Sequence, residues 1–69
     1  MNSDEYRAAI KKLGLSQNGA ARFFGVHSRT SQRWAYGELP VPQAVEMLLI
    51  LMLVFKISPE WFSGRNKEA

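Results

Sequence analysis

The 69-residue chain contains no cysteine, so neither a disulfide nor a thiolate metal site can form. Its single histidine, His27, cannot hold a metal alone. His27 is adjacent to Ser28 in sequence, but nucleophilic catalysis requires spatial proximity and an orienting carboxylate. The chain also has no glycine-rich phosphate loop. These absences predict a protein that is not an enzyme and has no catalytic residues, no cofactor and no metal.

Acidic residues are missing from a long part of the chain. Residues 6–37 contain no aspartate or glutamate, although six basic residues lie there. These are Arg7, Lys11, Lys12, Arg22, Arg29 and Arg33. A local excess of positive charge is typical of phosphate-binding surfaces, and also of solvated surfaces that bind nothing. The charge pattern alone therefore leaves both interpretations open.

The longest apolar run, residues 47–55, is only nine residues long. About 20 residues are needed to span a bilayer, so no membrane partner is expected. The first residues also lack the basic and apolar regions of a secretory signal, which predicts a cytoplasmic location. An apolar fraction of 46% in so short a chain favours one folded domain.

Capping residues and apolar spacing predict an all-α fold, a small bundle of four to five helices. The first helix is expected to run from Ser3 or Asp4 to Leu13, with Ser3 able to cap it, and Ser16 is the expected cap of the second helix. The further predicted elements are a helix at about 28–36, a helix at 42–56 with Pro42 as its first residue, and a helical turn at 57–64. The predicted domain comprises residues 1–64, and residues 65–69 form a polar tail.

The predicted third helix has one polar face. Side chains at i, i+1, i+4, i+5 and i+8 share a side of an α-helix. Here these are Ser28, Arg29, Gln32, Arg33 and Tyr36. Trp34 points the other way and is expected in the core. Such a helix suits the DNA major groove, where arginine donates hydrogen bonds to base edges.

The segment 15–37 resembles the helix-turn-helix of the lambda-repressor and Cro family. The matching positions in the second helix are Ser16, Gln17 and Ala21. Gly25 and Val26 match at the turn, and Trp34 and Gly37 match in and directly after the third helix. Residues 39–42 and the apolar helix after them also look like a variant of this family. The resemblance implies a sequence-specific, double-stranded DNA-binding transcriptional regulator, a repressor. No small-molecule ligand is expected, because the sequence shows no separate ligand-binding domain.

The candidate site residues fall into two groups. Ser28, Arg29, Gln32 and Arg33 are predicted to contact bases, because arginine pairs with guanine and glutamine with adenine. Ser16, Gln17, Arg22 and Tyr36 are predicted to contact phosphates. For Gln17 this role follows from the resemblance. For each arginine the alternative is a solvated surface charge.

Four residues depart from the family pattern. Gly19 and Ala20 replace an acidic residue and a leucine, which weakens the second helix. His27 stands where a stronger helix cap is usual, so either His27 or Ser28 caps the third helix. Ser31 replaces an apolar residue and is expected to leave a small polar gap in the core.

The fourth helix is apolar on all sides, and a small domain has few neighbours to cover it. One interpretation is a central helix wrapped by the others. The other is a homodimer, with Ile50, Leu51, Val54 and Phe55 at the interface, helped by Trp61 and Phe62. An alternative function is a protein-interaction or antitoxin-like module that binds its partner through helix 42–56.

Overall fold

Five α-helices form the fold, and the computed structural model describes residues 1–66, with side chains described through Phe62. The helices are α1 (Ser3–Lys12), α2 (Gln17–Phe24), α3 (Ser28–Tyr36), α4 (Gln43–Val54) and α5 (Pro59–Asn66). No strand occurs in this part of the chain. The predicted all-α bundle is confirmed.

Local capping sets the bounds of α2 and α3 as predicted. The Ser16 hydroxyl accepts a hydrogen bond of 2.9 Å from the Gly19 N–H at the start of α2. Gly25 and Gly37 end α2 and α3 in the left-handed region, with φ of 72° and 78°. Glycine adopts this conformation without a Cβ penalty, so both helices end there.

The prediction that Ser3 caps α1 is wrong, and the helix ends at Lys12, one residue before the predicted end. Asn2 caps the helix, and Ser3 is its first residue. The Asn2 side chain accepts from the Glu5 N–H at 2.8 Å, while the Glu5 carboxylate accepts from the Asn2 N–H at 2.9 Å. This reciprocal capping box pairs two backbone donors at the helix start, which Ser3 alone cannot do.

Smaller differences affect the other helix ends. Of the two predicted caps of α3, the structure shows His27, whose Nδ1 accepts from the Arg29 N–H at 3.1 Å. Pro42 occupies the cap position of α4 and is not its first helical residue. The last helix continues to Asn66, two residues beyond the predicted boundary. The rest of the predicted tail, residues 67–69, lies outside the described residues.

The buried core lies between α1 and the three helices that pack against it, α2, α3 and α4. Its members are Tyr6, Ala9, Ile10, Ala20, Trp34, Ala35 and Leu49. Trp34 is only 4% exposed and makes edge-to-face contacts with Tyr6 and Phe24, at ring-centroid distances of 5.8 and 6.4 Å. The prediction that Trp34 is a core residue is confirmed. Its burial leaves the opposite side of α3 at the surface.

Helix α5 is joined to this core through aromatic rings. Phe62 packs edge-to-face against Phe23 of α2 at 5.3 Å, and Phe23 packs against Phe24 at 5.2 Å. Trp61 contacts Phe62 at 4.9 Å and stays half exposed. A row of rings therefore runs from Trp61 through α2 to Trp34.

Candidate nucleic-acid interface

Helix α3 separates its residues into a buried and an exposed side. Ser31, Trp34 and Ala35 are buried, as the 3.6-residue period requires for one face of a helix. Arg29, Arg33 and Tyr36 are exposed, Tyr36 to 60%. The packing of Trp34 thus determines which side chains of α3 face solvent.

Four of the predicted DNA-contacting residues line one open depression of about 320 Å³ on α3. Arg29, Gln32, Arg33 and Tyr36 lie there together with Glu38, whereas Ser28 is half-buried outside the lining. Within residues 1–66, neither Arg29 nor Arg33 forms an ion pair. Both guanidinium groups therefore have donors available for an external acceptor.

The other candidate phosphate contacts lie apart from this depression. The Ser16 hydroxyl already accepts the capping hydrogen bond of α2, and Gln17 is half-buried in the first turn of that helix. Arg22 is exposed and lines a separate depression with Phe23 and Phe62. The structure thus places Tyr36 beside the base-reading candidates and leaves the α2 candidates on a neighbouring surface.

Ser31 does not leave the polar gap expected from the sequence. Its hydroxyl is fully buried and lies 2.7 Å from the Tyr6 hydroxyl of α1. Burial raises the pKa of the Tyr6 phenol above its ordinary value, and the hydrogen bond with Ser31 partly opposes this rise. The buried pair links the back of α3 to α1.

A double-mutant cycle tests this pair. We expect Tyr6→Phe and Ser31→Ala each to lower the free energy of unfolding by about 1–3 kcal/mol, because each leaves a buried hydroxyl unpaired. The double variant should lose clearly less free energy of unfolding than the two single variants lose together, since neither hydroxyl is then left without its partner. Urea denaturation measures the free energy of unfolding of the parent, the two single variants and the double variant. Strictly additive losses would show that the two hydroxyls do not interact.

Arg7 is a positioning residue that sequence reasoning missed. Its Nη1 donates a hydrogen bond of 2.7 Å to the Ala35 carbonyl in the last turn of α3, and its Nη2 bonds to the Asp4 carboxylate. Carbonyls in the last turn of a helix lack partners within the helix. Arg7 therefore supplies one such partner and attaches α1 to the end of α3.

A second exposed surface lies on α4. Leu49 and Met52 are buried, whereas the predicted interface residues Ile50, Leu51, Val54 and Phe55 are exposed, the last two to 66%. Met47 is also exposed, to 57%. We call these five residues the α4 apolar face. No helix within residues 1–66 is long and apolar enough to cross a membrane.

The chemistry of the α3 depression is that of a hydrogen-bond donor surface. Two guanidinium groups, an amide and a phenol are presented on one short helix, with one carboxylate at the edge. Planar guanidinium groups match bidentate acceptors such as phosphate oxygens and the guanine edge.

Comparisons with family models, curated proteins and solved structures find no match to this chain.

Proposed function

We propose that the protein is a sequence-specific regulator of transcription, a repressor, that binds double-stranded DNA in the manner of the lambda-repressor and Cro family. The observation that supports this most is the α3 depression, where Arg29 and Arg33 are exposed and make no ion pair within residues 1–66. The helix also belongs to the acid-free segment 6–37, which carries six basic residues.

In the proposed mode of binding, α3 enters the major groove and α2 lies across the backbone. Arg29 and Arg33 donate to guanine O6 and N7, Gln32 reads adenine, and Ser28 contacts a base edge or a phosphate. Tyr36 and Arg22 contact phosphates. Ser16 and Gln17 hold a phosphate at the N-terminus of α2, where free N–H groups and the helix dipole favour an anion.

The proposal includes a homodimer formed through the α4 apolar face. Contiguous exposed apolar side chains on a small protein mark interaction surfaces. A twofold pair presents two copies of α3 to successive major grooves, roughly 34 Å apart along one side of the duplex. The binding site is then an inverted repeat.

A second candidate function is favoured by the same α4 apolar face. The exposed side chains of Met47, Val54 and Phe55 also suit a module that binds another protein, such as an antitoxin-like partner. Such a module does not require Arg29 and Arg33 on an exposed helix. DNA binding is therefore the property that separates the two candidates.

Selection of binding sites from random duplex DNA is the experiment that tests the proposed function. We expect repeated rounds to enrich an inverted repeat whose two halves lie about one helical turn apart. Failure to enrich any sequence, at low as well as moderate salt, would reject the DNA-binding proposal and favour the interaction module.

Substitutions in the two groups of site residues should have different effects. Arg29→Ala and Arg33→Ala are each expected to weaken binding to the selected site by about 1–3 kcal/mol and to relax the preference at one base pair per half-site. The controls Gln17→Ala and Arg22→Ala should weaken all duplexes alike, because phosphates carry no sequence information. Arg22→Ala should also reduce the salt dependence.

Fluorescence-anisotropy titrations with the selected duplex and a scrambled duplex measure both effects. Uniform losses of affinity for both groups of variants would show that α3 does not read bases directly.

A further inference from the structure

Glu38 occupies a fixed position beside the arginines of α3. It follows Gly37 directly and is the first acidic residue after the acid-free segment 6–37. Its backbone N–H donates to the Arg33 carbonyl at 2.9 Å, and its exposed side chain lines the α3 depression. The hydrogen-bonded turn at Gly37 therefore places a carboxylate at the edge of the donor surface.

The stability of the fold does not account for this carboxylate. The C-terminal end of a helix carries partial negative charge, so an acidic side chain just beyond α3 lies at the unfavourable end of the helix dipole. Among the side chains that the structure describes, residues 1–62, Glu38 forms no ion pair with Arg29, with Arg33 or with any other residue. Within the described part of the chain Glu38 therefore has no ionic partner, and its exposed carboxylate is open to an external hydrogen-bond donor.

The chemistry of duplex DNA offers such a donor. Phosphate oxygens are acceptors and carry negative charge, so a carboxylate beside them only repels. In the major groove the cytosine N4 amino group is a donor, and glutamate is a side chain suited to accept from it. Glu38 therefore weakens binding to duplexes that the protein contacts only through phosphates. It favours duplexes in which its carboxylate can accept a hydrogen bond from a cytosine.

We propose that Glu38 is a specificity-determining residue that accepts a hydrogen bond from cytosine N4. The cytosine is assigned to the base pair whose guanine is bound by Arg33, because both residues line the depression and the Glu38 backbone is hydrogen-bonded to Arg33. This inference rests on the proposed function and goes beyond it. Arg33 and Glu38 together then read both bases of one G·C pair.

The test compares Glu38→Gln with Glu60→Gln, which removes the same charge from an exposed residue of α5. Each protein is titrated with the duplex recovered by selection and with a scrambled duplex of the same composition. For Glu38→Gln we expect several-fold tighter binding to the scrambled duplex and weaker binding to the selected one. The preference, which is the ratio of the affinities for the selected and the scrambled duplex, should therefore fall about tenfold. Glu60→Gln should leave the preference unchanged.

The outcomes separate this inference from the proposed function. If the parent protein prefers the selected duplex and Glu38→Gln keeps the full preference, the role of Glu38 is wrong and DNA binding stands. If the parent binds no duplex, both proposals fail. Glu38→Gln should melt no lower than the parent, because it removes an acid from the unfavourable end of α3. A lower melting temperature would point to a structural role for Glu38 and overturn its assignment.

Discussion

Replacement of Trp34 by alanine is expected to cost about 3–5 kcal/mol of folding free energy. Trp34 is 4% exposed and packs against the rings of Tyr6 and Phe24, so its loss leaves a cavity that short helices cannot close. A domain of this size has little stability to lose, and the variant should be largely unfolded at room temperature. Circular dichroism and thermal melting measure this directly.

Trp61→Ala is the matched control, because it removes the same side chain from a half-exposed position. We expect it to melt much closer to the parent than Trp34→Ala does. A Trp34→Ala variant that melts like the parent would contradict the packing of α3 described above and would place the indole outside the core.

Charge substitutions on the α4 apolar face should separate the proposed dimer into monomers. We expect Ile50→Glu and Leu51→Glu to give folded, soluble monomers, because each introduces a charge at a half-exposed apolar position. Affinity for an inverted-repeat duplex should fall by at least tenfold, because each half-site then binds one chain independently. Sedimentation velocity at micromolar concentration and anisotropy titration measure the two effects.

Ala8→Glu provides the control for these variants, since it adds the same charge at an exposed position of α1. It should sediment as the parent does. A parent protein that is monomeric at micromolar concentration, together with selection of a single asymmetric site, would contradict the dimer and assign the α4 apolar face to a different protein partner.

Local sequence signals were sufficient to predict most of the fold. Ser16, Gly25 and Gly37 identified the ends of α2 and α3, because capping and left-handed backbone depend on residues within one helical turn. The period of α3 likewise predicted that Trp34 points inward. At α1 two residues suited to capping are adjacent, and the reciprocal bonds between Asn2 and Glu5 decide between them.

Contacts between distant residues were not predictable in the same way. Tyr6 and Ser31 are 25 positions apart, and Arg7 and Ala35 are 28 apart, so neither hydrogen bond leaves a local pattern in the sequence. Glu38 joins the candidate site only because the turn at Gly37 folds it back toward Arg33. Long-range packing supplies the two hydrogen bonds, and the local turn at Gly37 supplies Glu38. The resemblance to a known family indicated none of them.

The row of aromatic rings gives the protein two optical reporters with different surroundings. The indole of Trp34 is enclosed by the core, so its emission follows the packing of α3. The indole of Trp61 is half in water, so its emission responds to whatever covers α5. Single-tryptophan variants with phenylalanine at the other position therefore separate the folding of the domain from the occupation of its surface, without an attached dye.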